Sequence, residues 1–262
     1  MELQLKGRNA LVCGSSQGIG LASAVELSKL GANVMLLARD RAKLERAIAT
    51  LDTSAGQQHS VFVADFSSSD SVLQAISEIR ATGMPVHILV NNTGGPKGGN
   101  LIEAEGSVLL TTFQMHLINN HHLAQAFVPD MQAEGFGRII NVISTSVKQP
   151  ITGLGVSNTI RWAVAAWAKT LANELGRFGI TVNNVLPGYT KTARLKSVFE
   201  MRASEQGKTE DQVASELMAT IPGRKFAEAA DVGAAVAFLS TPAAGSINGI
   251  NLPVDGGATA SL

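Results

Sequence analysis

Short apolar runs alternate with longer amphipathic stretches along most of this chain. The runs NALVC (9–13), NVMLLA (33–38), VFVAD (61–65), VHILVNN (86–92), RIINVI (138–143), ITVNNVLP (180–187) and INLPV (250–254) are rich in β-branched and aliphatic residues, which predicts seven strands. Several are apolar throughout instead of alternating, as expected of central parallel strands covered on both faces. Between them, stretches such as GLASAVELSKLGA and RAKLERAIATL place apolar residues three and four apart, the spacing of helices that bury one face. Strand and helix in alternation predict an α/β protein: a single-domain, doubly wound Rossmann fold with a seven-stranded parallel sheet and helices on both faces. No Pro/Gly/Ser-rich linker divides residues 1–262. The least regular stretch, about 189–225, is charged and partly helical and interrupts the pattern before the last helix and strand. Ligands in such sheets bind beyond the carboxyl ends of the strands, so this insert is a candidate lid over a substrate.

Composition narrows the partners. At 262 residues, 45% hydrophobic and 16% charged, the chain can bury one large core. Lys plus Arg balances Asp plus Glu at 21 each, which removes the electrostatic case for nucleic acid and leaves a small molecule. The single cysteine, Cys13, cannot form an intrachain disulfide and has no metal-type partner, so no metal is expected. The start, MELQLKGRNALVCG, lacks the apolar core of a signal peptide, and no apolar run approaches the roughly 20 residues that span a bilayer. The expectation is a cytoplasmic protein that does not enter a membrane.

The first strand is followed by Gly14-Ser15-Ser16-Gln17-Gly18-Ile19-Gly20, which opens a helix. Glycines there permit a tight turn and let main-chain N–H groups and the helix N-terminus approach a pyrophosphate. The spacing is GxxxGxG instead of the commoner GxGxxG. At the end of the second strand stands Leu37-Ala38-Arg39-Asp40. An acidic residue at that end suits the ribose of NAD, whereas Arg39 offers a planar, permanently charged partner for a 2′-phosphate, which predicts NADP(H).

In order along the chain come GSSQGIG at 14–20, Asp65 after the third strand, NNTGG at 91–95, GRIINVIS at 137–144, PGYTKT at 187–192 and VDGG at 254–257. With these landmarks the chain resembles the short-chain dehydrogenase/reductase family from about residue 5 to 257, and within it the 3-oxoacyl-acyl-carrier-protein reductases and their relatives. The resemblance implies a carbonyl/hydroxyl oxidoreductase, with an acyl thioester among the substrates it suggests. It further implies that Asp65 and Phe66 bound the adenine, that Asn91 and Gly94 lie along its ribose, and that Pro187, Gly188, Tyr189 and Thr192 flank the nicotinamide. It also implies a homotetramer or homodimer built partly from the small-residue-rich helix at 157–177.

The catalytic positions depart from that family. Its members pair a tyrosine with a lysine four residues later, a serine thirteen residues earlier and an asparagine on the preceding helix. Aligned on AKTLANELGRFGITVNNVLPG (168–188), the tyrosine position holds Ser157 and the lysine position Arg161; Ser144 falls thirteen residues before Ser157. The asparagine position falls near His116, with Asn119 and Asn120 one turn further on. A serine hydroxyl is too weak an acid to replace a phenol, and losing a positioned acid costs about 10²–10⁴ in rate. Arg161 can bind a ribose but cannot pass on a proton. Three readings stay open. One is an NADP-dependent oxidoreductase whose acid is Tyr189, His116, Lys148 or a water held by Ser144 and Ser157. Another is an NADP-binding sensor or partner subunit without turnover. In the third, Arg161 and His116 form an anion site for a carboxylate or phosphate substrate.

Overall fold

A computed structural model describes residues 1–261. Seven parallel strands form one sheet in the order β3-β2-β1-β4-β5-β6-β9: β1 Asn9–Cys13, β2 Asn33–Ala38, β3 Ser60–Val63, β4 Ile88–Asn91, β5 Gly137–Val142, β6 Ile180–Pro187 and β9 Asn251–Val254. All seven predicted strands are present. The third stops short of its predicted end because Asp65 turns back to accept from Ser67 N and Oγ at 2.9 and 2.8 Å, which leaves no extended backbone to pair. A pair of two-residue strands, β7 Thr190–Lys191 and β8 Ala227–Glu228, forms a separate ribbon.

Helices cover both faces, as the continuous apolar strands require. α1 (Gly18–Lys29), α2 (Arg41–Ile48) and α9 (Ala229–Leu239) close one face through Ala24, Leu27, Leu44, Ala47, Val232 and Val236. On the other lie α3 (Ser69–Ala81), α5 (Asn119–Ala133) and α6 (Gly155–Leu175), with Ile79, Phe127, Met131, Ala168 and Ala172 inside. α4 (Gly106–Phe113) runs into α5 through a widened π-helical turn at Gln114–Ile118. α7 (Ala193–Gln206) and α8 (Glu210–Ala219) form the insert and bury a small core of their own, Leu195, Ala203, Val213, Leu217, Ile221 and Phe226.

The sheet also carries a polar seam. Asn91, Asn141, Asn184 and Asn251 occupy matching positions on β4, β5, β6 and β9. Asn91 donates to Asn141, Asn141 to Asn184 and Asn184 to Asn251, at 2.9, 2.9 and 2.8 Å. Each amide donates to the next, which leaves the Asn91 Oδ1 at the start of the row as the buried atom without a partner. The seam runs from the last residue of β4 to positions one to three residues short of the carboxyl ends of β5, β6 and β9, just below the loops that form the site.

Among the described residues, no helix is long and apolar enough to cross a membrane, and no His/Cys/Asp/Glu group is arranged to hold a metal. Cys13 lies in the core, where burial pushes its thiol up to about 12, as expected of an unreactive cysteine.

Candidate active site

The glycine-rich turn leaves no room for side chains at two positions. A Cβ on Gly20 would stand 2.3 Å from the Gly14 carbonyl oxygen, and one on Gly14 would stand 2.6 Å from the Asn92 carbonyl oxygen. Gly14 and Gly18 also adopt φ of +58° and +59°, a region that L side chains avoid. Asn92 braces the turn from the β4 loop, its Nδ2 donating to the carbonyls of Cys13 and Gly14 at 3.2 Å each. Opposite Gly18, Thr192 at the start of α7 comes within 3.5 Å of where a Cβ would be. The turn therefore presents bare backbone and the α1 N-terminus to a narrow space, the geometry a pyrophosphate fits.

Within this turn the structure separates the predicted residues. Ser16 and Gln17 face an open cleft of ≈ 350 Å³ between α1 and α2, which Lys43 and Arg46 also line. Ser15 instead is fully buried, its Oγ accepting from Leu37 N at 3.0 Å. Its side chain ties the turn to β2, so only its main chain can meet a ligand. Ile19 packs on the core through its side chain. Arg39, exposed at the end of β2, sits near enough to Asp65 to add to the lowering of that carboxyl; hydrogen bonds from Ser67 are the larger cause. Lys43 and Arg46 were not among the residues the sequence put forward for the cofactor. Their spacing one turn apart on the helix after Arg39 was the available signal.

Phe66 is also placed differently from expectation. Its ring is core, beside Ala64 and Val72, and its carbonyl accepts from Asn119 Nδ2 at 2.7 Å, so an adenine could meet only its main chain. Asn91 belongs to the asparagine seam, not to the surface of the loop. Gly94, in contrast, has open space beside it.

At the catalytic positions, Ser144 follows β5, its Oγ accepting from Ser146 N at 3.1 Å. Ser157 stands in the first turn of α6, partly exposed. One turn on, Arg161 is 8% exposed and donates from Nη1 to the Val142 carbonyl at 2.9 Å. His116 lies in the π-helical turn, 3% exposed. Its ring lies beside the β4 loop, where it hydrogen-bonds the Gly94 backbone. Such π-helical turns recur at functional sites. Asn91, Asn92, Thr93, His116, Asn120 and Arg161 then surround a recess of ≈ 10 Å³, room for one oxygen-sized group. Asn119, the neighbouring alternative to His116, is engaged elsewhere, holding Phe66 and accepting from Ser69 Oγ at 2.7 Å.

Electrostatics assign different states to these groups. His116 is held well below the ordinary histidine range, first by burial and then by the Arg161 charge. That shift favours the neutral imidazole at pH 7, which can still donate one hydrogen bond and accept another. Arg161 is lowered to about 10, first by burial and then by Arg194, and so stays charged. Tyr189 is drawn into the core of the insert, edge-on to Phe226 with centroids 6.3 Å apart. The apolar cluster between α7 and α8 claims its ring, which no sequence pattern had revealed. Pro187 and Gly188 end β6. A Cβ on Gly188 would meet that of Asp255 at 2.6 Å, which explains the glycine after the proline. Trp162, half exposed, donates from Nε1 to Ser146 O at 3.0 Å.

A family model described as enoyl-(acyl carrier protein) reductase matches residues 14–259. The chain belongs to the short-chain dehydrogenase/reductase family. As a family member it is an oxidoreductase of the nicotinamide-dependent class that acts on CH–OH groups. Its relatives include the 3-oxoacyl-[acyl-carrier-protein] reductase of Haemophilus influenzae, 31% identical, the alignment covering 97% of this chain and 98% of that protein. Gluconate 5-dehydrogenase of Gluconobacter oxydans is 29% identical over 98% and 97%. Among solved structures, L-sorbose reductase of Gluconobacter frateurii, complexed with NADPH and L-sorbose, superposes with a TM-score of 0.93 at 28% identity over 100% of both chains. The seven-stranded parallel sheet with its covering helices thus matches the short-chain dehydrogenase/reductase scaffold over the full length of both chains.

Proposed function

We propose that this protein interconverts a carbonyl and a secondary alcohol with NADP(H), using Ser144, Ser157 and Arg161 in place of the phenol-centred set. The observation that carries this reading is the glycine turn, in which Gly14 and Gly20 leave backbone bare where any Cβ would collide. These glycines let the turn fold tightly on Asn92 at the head of α1, an arrangement that suits main-chain N–H groups to a pyrophosphate. Support for NADP(H) over NAD(H) comes from Arg39, with Lys43 and Arg46 on the adjoining helix and no carboxylate at the end of β2 itself. The family's NADPH-complexed relative agrees.

When bound, the nicotinamide supplies or accepts the hydride. The chain supplies the rest. Ser144 and Ser157 can donate hydrogen bonds to the substrate oxygen or to a water beside it. Arg161, charged and shielded from bulk water, stabilises negative charge developing there and the nicotinamide ribose beside it. Its guanidinium keeps its proton, and a neutral His116 is too weak an acid to give up its N–H, so water is the proton source for the alcohol. That arrangement predicts slow turnover with intact cofactor binding. The 3-oxoacyl thioesters are one substrate class this reading places in the assay, beside small ketones and ketoses. Monitoring NADPH consumption across such a panel tests the reading: saturable oxidation supports it, and tight NADPH binding with no oxidation anywhere overturns it in favour of a cofactor-binding protein without turnover.

A further inference from the structure

Arg161 is 92% buried by its 8% exposure, yet it has no carboxylate partner. A second guanidinium comes to the same loop. Arg194, in the first turn of α7, donates from Nη2 to the Pro96 carbonyl at 2.7 Å. Arg161 Nη2 lies 3.7 Å from where a Cβ on Gly95 would stand. Two arginines therefore converge on the consecutive residues Gly95 and Pro96, one from below and one from the insert. Neither has a Lys/Arg–Asp/Glu contact within 4.0 Å, whereas seven such pairs are formed elsewhere among the described residues. Lys97 follows immediately, and no acid lies in the loop 93–99.

Two cations drawn together with one of them desolvated are costly unless an anion joins them. Protein carboxylates do not. The asparagine seam and the neutral His116 supply only dipoles on the inner side, Arg161 lines the recess with them, and its Nε is buried without a partner.

We propose that the loop at Gly94–Lys97 holds an oxyanion of the substrate, a carboxylate or a phosphate, between Arg161 and Arg194. The preferred substrate is then a carbonyl compound, or its alcohol, that carries a compact anionic group close to the reacting carbon. This inference rests on the oxidoreductase reading for the word substrate, though not for the anion itself. Arg194 approaches from α7, so the insert contributes a charge to the site as well as a cover. The second arginine was not among the sequence candidates, and it takes the part there assigned to His116.

Matched pairs test this directly: 2-oxobutyrate against butanone for carboxylate, and dihydroxyacetone phosphate against dihydroxyacetone for phosphate. Each is titrated into the full-length protein with NADP⁺ by calorimetry and assayed for NADPH oxidation. The expected result is that at least one anionic member binds about tenfold or more tighter than its neutral partner. Arg194→Ala should abolish that preference and Arg194→Lys should retain part of it, while binding of the neutral compound stays within about twofold. A merely structural Arg194, anchoring Pro96, would weaken both members alike, and that result overturns the proposal. Equal or better binding of both neutral compounds by the unaltered protein also overturns it. Anion-selective binding without NADPH oxidation would sustain the anion site while removing the oxidoreductase reading; oxidation of neutral and anionic compounds alike would do the reverse.

Discussion

Arg161 spends one arm of its guanidinium on the Val142 carbonyl, at 2.9 Å. The contact ties α6 to the carboxyl end of β5 and fixes a permanent charge beneath the site. A lysine cannot hold that carbonyl and still offer two further directed donors, so Arg161→Lys is not conservative here. Thermal denaturation should show Arg161→Lys destabilised by roughly 1 kcal/mol for the lost hydrogen bond, with Arg161→Leu separating the cost of charge from that of packing.

The cofactor cradle makes a sharper prediction. A methyl group at position 20 would sit 2.3 Å from the Gly14 carbonyl oxygen, and backbone must move to admit it. Overpacking of this kind costs roughly 1–3 kcal/mol, and the displaced turn is the ligand surface itself. Gly20→Ala should weaken NADPH about tenfold or more by fluorescence titration, while Gly83→Ala, at a loop glycine with no neighbour within 4 Å, should leave it unchanged.

Cofactor choice follows from charge. Arg39→Ala should weaken NADPH by about 10- to 100-fold, the worth of a charge-assisted hydrogen bond, and NADH by far less. Lys43→Ala and Arg46→Ala should show the same preference at smaller size. Equal losses for both cofactors would remove these side chains from the 2′-phosphate.

Much of the fold was legible in the pattern of apolar runs, because parallel strands buried on both faces must be apolar along their whole length. The asparagine seam was not. Asn91, Asn141, Asn184 and Asn251 are far apart in sequence and come into register only when four strands pair. The glycine turn could be read because its constraint is local, whereas the roles of Ser15 and Phe66 could not, since each depends on a strand or helix from elsewhere. Arg194 escaped notice for the same reason: its significance lies in meeting Arg161 at one loop. Tyr189 could be read as a phenol near the cofactor, but the hydrophobic partners that claim it, Phe199 and Phe226, are contributed by the insert.

Breaking the seam should be costly. Asn141 both donates and accepts within it, so Asn141→Ala leaves two buried groups without partners, at roughly 1–3 kcal/mol each. Chemical denaturation should register that loss with little change in m.

Acid should destabilise the protein partly through His116. Its proton affinity is lower folded than unfolded, so below pH 6.5 the unfolded chain takes up more protons and stability falls as pH falls towards the folded value. Above pH 6.5 the contribution is complete. His87, lowered chiefly by burial, adds a loss of the same sign. Denaturation midpoints of His116→Asn and the unaltered protein, compared between pH 7.5 and 5, should therefore converge on acidification as the histidine's share is lost. A constant difference would mean that His116 does not titrate in this range.

The central claim is that Ser157 and Arg161 occupy the acid and ribose positions of a working short-chain dehydrogenase/reductase frame. The most direct measurement is kcat/KM for NADPH-dependent reduction of a neutral ketone by Ser157→Tyr/Arg161→Lys. Restoring a positioned acid should raise it by about 10²–10⁴ over the unaltered protein. No gain from a double variant that folds and still binds NADPH would contradict the account.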